Sequence, residues 1–299
     1  MFLPKTVRRA RMPPLKCQGI KTKLVNFIAS NITWNDEGRW VEPFLGSGSV
    51  LFNINPNKAL VSDNNEHIIN LYNGIKTNEI TPNIVRERLQ TDGKLLSAKG
   101  ENYYYNVRDR FNATHDPIDF LFLNRSSYNG VIRFNRNGKF NVPFCRKSNR
   151  FSQAYITKIV NQIQWVHHLL NKRDWIFDTC DWRQTLSECN EHDFVYLDPP
   201  YSGKSTVYFD NWTKDDTLNL IEKCKNLKCG FAISMWSEDE FKKEQLFSEN
   251  FSGYPVKKTP HFYYVGASNN HNITESLIVK PGFMAVCNPV DMNKIETFF

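Results

Sequence analysis

The chain has 299 residues, of which 40% are hydrophobic and 23% are charged, a composition that excludes an intrinsically disordered protein and fits one large domain with an insertion. No run approaches 18 consecutive apolar residues, which argues against a membrane-spanning helix and indicates a cytoplasmic protein. The net charge of +7 is modest, so the total charge alone does not identify a partner.

The first predicted elements are a strand, a glycine loop and a helix. Residues 39–44 are predicted to form a short buried strand, residues 46–48 (Gly-Ser-Gly) a tight loop, and Ser49 the start of a helix. A second strand over residues 59–63 is followed by a helix over residues 66–76. This succession is typical of an α/β sheet whose first loop holds a cofactor.

The alternation of strands and helices returns only in the C-terminal half. Strands are predicted there at residues 175–179, 194–197, 230–235 and 276–279, and a helix at residues 214–226. Such alternation indicates a mostly parallel sheet with helices on both faces. We therefore predict a catalytic domain of residues 1–76 and 161–299, interrupted by an inserted domain of residues 77–160.

The predicted inserted domain is mostly helical and carries one hairpin. Residues 84–89 and 103–112 have helical patterns. Residues 131–142 are typical of a hairpin that turns at Asn137-Gly138, because this pair accepts positive φ.

Positive charge is concentrated in residues 120–173, which contain ten Lys and Arg residues and no Asp or Glu. Aromatic residues such as Tyr128, Phe134 and Phe140 are interleaved with these cations. A charged face that only meets solvent would not need them. The segment therefore favours a surface that binds a polyanion.

The glycine loop departs from the dinucleotide-binding fingerprint, because Leu51 stands where the third glycine belongs. A ligand without a pyrophosphate needs fewer backbone donors, and S-adenosylmethionine meets this demand. Asp63 ends the second strand and is placed to accept hydrogen bonds from ribose hydroxyls; the alternative is that it caps the next helix. The other residues predicted to line the cofactor site are Lys21, Glu42, Phe44, Gly46 and Gly48.

The stretch Asp198-Pro199-Pro200-Tyr201 follows the buried strand at residues 194–197. Each proline biases the residue before it towards extended geometry, so a carboxylate, a carbonyl and an aromatic ring are held in a stiff turn. Asp198 and the Pro199 carbonyl could localise the lone pair of an exocyclic amino group, while Tyr201 stacks on its ring. The pattern predicts chemistry on a flat aminated ring; the alternative is a proline-rich turn that only ends a strand.

Several motifs occur in a characteristic order along the chain. They are residues 42–49 (EPFLGSGS), Asp63, residues 124–135 (NRSSYNGVIRFN), residues 138–144 (GKFNVPF), Asp181 and residues 198–201 (DPPY). Together they resemble the Dam-like adenine-specific DNA methyltransferases, from about residue 15 to residue 282. The two longer segments resemble the target-reading region of that family and are the most specific part of the match.

The resemblance implies a fold and residue roles. The fold is a Rossmann-like, seven-stranded methyltransferase sheet with an inserted, mostly helical target-recognition domain that carries a β-hairpin. The residues implied to hold S-adenosylmethionine are Lys21, Glu42, Phe44, Gly46, Gly48, Asp63 and Asp181, with Asp63 on the ribose and Asp181 near the adenine amino group. The residues implied to contact DNA are Arg125, Tyr128, Asn129, Arg133, Arg136, Lys139 and Arg146. Arg133 would read a guanine edge, Tyr128 would pack on the base stack and Asn129 would fix a phosphate.

The sequence thus predicts methyl transfer to N6 of an adenine flipped out of duplex DNA, in a palindrome beginning GAT (GATC or GATATC). Such an enzyme is expected to serve a restriction-modification system, beside an endonuclease that acts on the same site without direct contact. No metal is expected, since the sulfonium is already an activated donor and the cysteines form no CxxC pair. The alternatives are methylation of cytosine N4 or of RNA adenine. Protein glutamine methylation and a non-catalytic DNA-binding module are disfavoured.

Overall fold

The computed structural model describes residues 2–200, 212–236, 242–264 and 270–286. Within them the strands are β1 (Trp40–Glu42), β2 (Lys58–Ser62), β3 (Asp174–Asp178), β4 (Phe194–Leu197), β5 (Gly230–Trp236), β6 (Val256–Tyr264) and β7 (Asn270–Val279). The helices are α1 (Val25–Asn31), α2 (Ser49–Ile54), α3 (Glu66–Lys76), α4 (Pro82–Lys99), α5 (Glu101–Thr114), α6 (Pro117–Ser126), α7 (Gln153–Leu170), α8 (Trp182–Ser187), α9 (Lys214–Asn226) and α10 (Lys242–Asn250). None of the helices in these ranges is long and apolar enough to span a bilayer.

The strands form one seven-stranded sheet, in the order β3-β2-β1-β4-β5-β7-β6 across the described part of the chain. The five neighbouring strands β3, β2, β1, β4 and β5 are parallel, whereas β7 runs antiparallel to both β5 and β6. The predicted seven-stranded, mostly parallel sheet is therefore confirmed. From β1 and β4 at the centre the strand order runs towards opposite edges, so their carboxyl ends border the crevice in which such sheets bind ligands.

Strand β4 is buried on both faces of the sheet. Its side chains alternate between the faces, as in any strand. Phe194 and Tyr196 stack on Trp40, with ring centroids 5.4 and 6.0 Å apart. Val195 and Leu197 belong to a second apolar cluster on the opposite face. Because both faces are covered, the strand can present polar chemistry only at its carboxyl end.

Several predicted elements are confirmed with their bounds. The strand at residues 194–197 is β4, and the helix at residues 66–76 is α3. The helical patterns at residues 84–89 and 103–112 mark parts of the longer helices α4 and α5. Helix α4 begins earlier than its pattern because Thr81 caps it and a proline occupies its first turn.

Two helices of the inserted region, α6 and α7, are absent from the predicted elements. Helix α7 starts after the cap Ser152 and packs against both α3 and α4. The predicted domain boundary at residue 160 falls within this helix. The apolar core of the inserted region is continuous with the sheet face that carries Trp40, so the two predicted domains share one core.

The predicted hairpin is present as a narrow turn. Phe134 pairs with Phe140 in one antiparallel bridge, and Gly138 has a φ of 69°, as the turn pair predicts. Asn112 on α5 anchors the turn: its Oδ1 accepts from Phe140 N at 2.7 Å, and its Nδ2 donates to Phe140 O at 3.2 Å. The hairpin is therefore fixed to the helices of the inserted region.

Candidate active site

The loop after β1 is shaped by two glycines in the left-handed region. Gly46 has a φ of 51° and Gly48 a φ of 71°, conformations that are strained for residues with a side chain. At Gly48, an added Cβ would also lie 2.4 Å from the Phe52 ring. Asp63 braces this loop from the neighbouring strand, because its Oδ2 accepts from Gly46 N at 2.8 Å and its Oδ1 from Asn65 N at 2.9 Å.

Asp63 is not the cap of the helix that follows it. The cap of α3 is Asn65, whose side chain accepts from His67 N at 3.1 Å. Burial raises the pKa of Asp63, and its hydrogen bonds from the Asn65 and Gly46 amides lower it. A carboxylate oxygen has two lone pairs, so Asp63 retains capacity to accept from a hydroxyl.

Lys21 links Asp198 to a second carboxylate. Its Nζ lies 3.1 Å from Asp198 Oδ1 and 3.4 Å from Glu275 Oε1. Lys21 and Glu275 are only 3% and 1% exposed, whereas the Asp198 side chain keeps 23% exposure. Sequence reasoning did not single out Glu275, because its neighbours Thr274 and Ser276 are polar and no local pattern marks this carboxylate as buried.

Glu42 lies near this charge cluster at the end of β1. Its Oε1 accepts a hydrogen bond from Trp40 Nε1 at 2.6 Å, inside the protein. Burial raises the pKa of Glu42 to about 8, the Trp40 bond lowers it, and the charge of Asp198 raises it further. Glu42 is therefore mostly protonated at neutral pH.

We expect the stability of Glu42→Gln to exceed that of the wild type by an amount that grows from about pH 4.5 to about pH 8 and is constant above that. The folded-state pKa of about 8 lies above the ordinary glutamate value of 4.5, which applies in the unfolded chain. Between these values the native protein binds a proton that the unfolded chain has released, so the free energy of unfolding falls as the pH rises. Glutamine keeps an oxygen for Trp40 and cannot ionise, so the variant should lack this decline.

Thermal unfolding from about pH 5 to pH 9 measures the effect. The melting temperatures of the wild type and Glu42→Gln should diverge as the pH rises. Glu37→Gln removes an exposed carboxylate and serves as the control. Parallel pH curves for the wild type and Glu42→Gln would contradict this account.

The turn after β4 is described as far as Pro200. Pro199 is buried, while Asp198 and Pro200 are half-buried. Since the four preceding residues are buried, the carboxylate stands at the edge of the sheet. Tyr201 lies outside the described residues, and its stacking on a target base stays a prediction.

An aromatic cluster that sequence reasoning missed surrounds Phe44. The Phe44 ring lies 6.2 Å from the Trp182 ring and 5.5 Å from the Trp212 ring, and the two tryptophans are 5.8 Å apart. Apolar rings of this kind suit contact with a purine. Trp182 directly follows the predicted cofactor residue Asp181 in the sequence, whereas only the tertiary fold brings Trp212 here.

Asp181 stands at the start of α8, after the carboxyl end of β3. Its Oδ1 caps the helix by accepting from Arg183 N at 2.8 Å, and its Oδ2 pairs with Arg183 Nη1 at 3.0 Å. The Arg183 guanidinium also bonds Asp216 and lies over the Trp182 ring. The predicted contact of Asp181 with a cofactor adenine stays a prediction. To accept a hydrogen bond from the adenine amino group, the Asp181 carboxylate would have to share its oxygens with Arg183.

Most residues predicted to contact DNA lie on the surface. The exposed ones are Tyr128, Asn129, Arg133, Arg136, Lys139 and Arg146. Tyr128 is 59% exposed on the short turn after α6, and Asn129 there has a φ of 52°. At Gly130, an added Cβ would lie 2.6 Å from the Lys16 side chain, so this turn packs against the N-terminal segment.

Arg133 is oriented by the opposite side of the hairpin. Its Nε donates to Asn141 Oδ1 at 2.7 Å, and its Nη2 donates to Asn141 O at 3.0 Å. The guanidinium is exposed yet held at two points. Such pre-organisation reduces the entropy lost when an arginine forms a bidentate contact.

Arg125 does not lie on this surface. It is 1% exposed; its Nη1 donates to Pro14 O at 2.9 Å and its Nη2 to Gln162 Oε1 at 3.1 Å. The guanidinium also lies over the Tyr155 ring, 5.1 Å from its centroid. Arg125 therefore ties the N-terminal segment to α7, and its buried guanidinium does not lie on the surface where a contact with DNA was expected. Its residue type suggested an exposed charge, which tertiary contacts overrode.

A separate group of possible metal ligands involves none of the predicted site residues. Glu66, His67 and His115 bring ligand atoms within 4.8 Å of one another. His67 is buried, whereas Glu66 and His115 are exposed. Burial, with a smaller contribution from His115, lowers the pKa of His67 to about 4. The absence of a metal from the reaction stays a prediction.

Comparison with known proteins adds to this geometry. A family model described as D12 class N6 adenine-specific DNA methyltransferase matches residues 18–263. The chain is 29% identical over 272 residues to the Type II methyltransferase M.MjaIII of Methanocaldococcus jannaschii, covering 82% of this chain and 90% of that protein. It is 31% identical over 200 residues to the DNA adenine methylase of Escherichia coli (strain K12), covering 62% of this chain and 66% of that protein. The rRNA methyltransferase aviRa from Streptomyces viridochromogenes has a TM-score of 0.32 at 9% identity, over 81% of this chain and 77% of that one, a likeness too distant to carry an argument.

Proposed function

Because the chain belongs to the D12 class of N6 adenine-specific DNA methyltransferases, we propose that it transfers the methyl group of S-adenosylmethionine to N6 of an adenine flipped out of duplex DNA. The position of Asp198 carries this proposal. It follows β4, whose neighbour β1 leads into the glycine loop. Donor and acceptor would thus meet in the central crevice of the sheet.

The residues around the crevice fit S-adenosylmethionine. The glycine loop and Asp63 would hold the ribose end, with Phe44 and Asp181 towards the adenine and Lys21 and Glu42 towards the methionine. The fit is supported by the spare lone pairs of Asp63 and by the aromatic cluster at Phe44. When bound, the cofactor supplies a methyl group on an activated sulfonium.

The protein's part in the reaction is to orient the target amino group. The Asp198 carboxylate and the Pro199 carbonyl would accept its hydrogens, which localises the nitrogen lone pair for in-line attack. Pro200 keeps the turn stiff, and Tyr201 would stack on the flipped base. The proton would leave to water, so a strong general base is unnecessary.

The inserted region, residues 77–160, would read the DNA. Tyr128 on its exposed turn would pack on the base stack, and Asn129 would fix a phosphate. Arg136, Lys139 and Arg146 lie in the segment without acidic residues and would contact the phosphate backbone. Together they supply affinity, while Arg133 supplies sequence choice.

We expect Arg133→Ala to relax selection of the guanine before the target adenine. A bidentate guanidinium–guanine contact contributes about 1 to 3 kcal/mol of discrimination at one base pair. Methylation of a duplex library, read by sequencing, measures this preference. Lys139→Ala is the matched control, because loss of a phosphate contact should weaken binding to all sequences and reduce the salt dependence. An unchanged motif in Arg133→Ala would remove Arg133 from the reading role.

Sequencing that detects modified bases, applied to plasmid from cells that express the chain, tests the function. The expected product is N6-methyladenine in a palindrome beginning GAT, as GATC or GATATC. Plasmid from cells expressing Asp198→Ala, the variant expected to lose the most activity, is the control. N4-methylcytosine, or methylation confined to RNA, would contradict the proposal in favour of the alternative substrates.

We further propose that the enzyme is the modification part of a restriction-modification system. Its DNA-binding inserted region needs no contact with an endonuclease, since both proteins would recognise the same site independently. Modified plasmid should then resist cleavage by an endonuclease specific for the sequenced motif. Full cleavage of modified plasmid would contradict the protective role.

A further inference from the structure

The proposed chemistry leaves Glu275 without a role. This residue lies on β7, opposite Trp236 on β5, and outside the residues 18–263 matched by the family. It is 1% exposed and its Oε1 lies 3.4 Å from Lys21 Nζ. A carboxylate is costly to bury unless it is paired, so its position calls for a physical explanation.

The explanation lies in how Lys21 is shared. Its ammonium is 3.1 Å from Asp198 and 3.4 Å from Glu275. A lysine paired with Asp198 alone would neutralise that carboxylate and weaken it as an acceptor. With Glu275 on its other side, the ammonium is divided between two carboxylates, and the three residues carry an excess of one negative charge.

During methyl transfer, positive charge develops on the target amino nitrogen, beside the excess negative charge of this cluster. As the amino nitrogen bonds the methyl carbon with its own electron pair, the carbon–sulfur pair returns to sulfur. The nitrogen then carries positive charge until its proton passes to water. A pre-organised negative charge beside it lowers the barrier, because it is matched to the transition state and not to the neutral amine.

We propose that Glu275 is a positioning residue for methyl transfer: by holding the Lys21 ammonium from β7, it leaves Asp198 with net negative charge towards the target amino group. This inference rests on the proposed function. Glu275 acts through Lys21 and does not itself touch the substrate. Its effect therefore depends on whether Lys21 is present.

The test is a cycle of four proteins: wild type, Glu275→Gln, Lys21→Gln and the double variant. Under single-turnover conditions, Glu275→Gln is expected to lower the methyl-transfer rate about 10-fold or more, with the Kd for DNA changed by less than about 3-fold. In the Lys21→Gln background, the same change should have little further effect. A wild-type rate for Glu275→Gln, or equal fold losses in both backgrounds, would overturn the proposal.

If Glu275→Gln alone folds poorly, the comparison of the double variant with Lys21→Gln still tests the proposal. The double variant removes both buried charges, so it should unfold at a higher temperature than Lys21→Gln, in which Glu275 has lost the Lys21 ammonium. It should also transfer methyl groups no more slowly than Lys21→Gln. A slower double variant would show that Glu275 acts independently of Lys21.

A matched control separates catalysis from stability. Asp92 is a carboxylate in α4 that is 3% exposed and accepts from Tyr103 Oη at 2.7 Å. Asp92→Asn should lower the melting temperature without the selective loss of transfer rate. The rate of methyl transfer to any nucleoside tests the role of Glu275, whereas the identity of the methylated nucleoside tests the proposed function. Either proposal can therefore fail while the other stands.

Discussion

Replacing Asp198 with alanine is expected to reduce the single-turnover rate of methyl transfer by about 10²- to 10³-fold, the range for loss of one pre-organised polar group at a reacting centre. The carboxylate acts on the amino group as charge develops, so the loss should appear in the rate and not in binding. Calorimetry with S-adenosylmethionine and fluorescence anisotropy with DNA should give affinities close to those of the wild type.

The structure explains why this variant should still fold. Lys21 keeps Glu275 as a partner when Asp198 is removed, so its buried ammonium remains paired. Asp198→Asn preserves the shape of the side chain and one carbonyl oxygen, so its rate of methyl transfer should lie between those of the wild type and Asp198→Ala. Near wild-type turnover of Asp198→Ala would exclude the proposed role of the carboxylate.

Asp63→Ala is expected to weaken S-adenosylmethionine binding by about 10- to 150-fold, because charge-assisted hydrogen bonds to a ribose contribute about 1.5 to 3 kcal/mol. The effect should be measurable by calorimetry without DNA. Unchanged affinity in a folded Asp63→Ala protein would move the ribose contact elsewhere.

Asn65→Ala provides the control for loop geometry. It removes the cap of α3, which costs about 1 kcal/mol of stability, but retains the Asp63 carboxylate. Its cofactor affinity should stay near that of the wild type. If both variants lose affinity equally, then Asp63 acts only by bracing the glycine loop through Gly46 and Asn65.

Sequence pattern was sufficient for elements whose signal is local. The strand at residues 194–197 is a short apolar run bounded by polar residues, and both of its faces are buried in the sheet. Helix α7 also had such a signal, since its buried residues Ile156, Ile159 and Ile163 follow a helical spacing after the cap Ser152, but the prediction did not use it.

Strand β6 lacked a readable local pattern. Its sequence, VKKTPHFYY, contains two lysines and a proline, which are depleted in strands. It lies at the edge of the sheet and pairs only with β7 among the described strands. Tertiary pairing, rather than local propensity, therefore establishes this strand.

Site residues that belong to one short motif could be predicted from the sequence, whereas ion pairs between residues distant in the chain could not. The DPPY motif located Asp198, but the contact of Lys21 with Glu275 joins positions 254 apart in the chain. Burial of Arg125 likewise depends on a carbonyl 111 positions away. Neither the spacing nor the composition of the sequence carries such information.

The pairing of β1 with β4 has a consequence for how the protein reaches its native state. Trp40 pairs with Phe194, so the centre of the sheet closes a loop of about 150 residues, at an entropic cost that must be met before the strands stabilise each other. Helices α4, α5 and α6 contact one another within a much shorter stretch of chain. We expect these helices to form first and shorten the loop. The crevice between β1 and β4 would then be among the last parts of the enzyme to assemble.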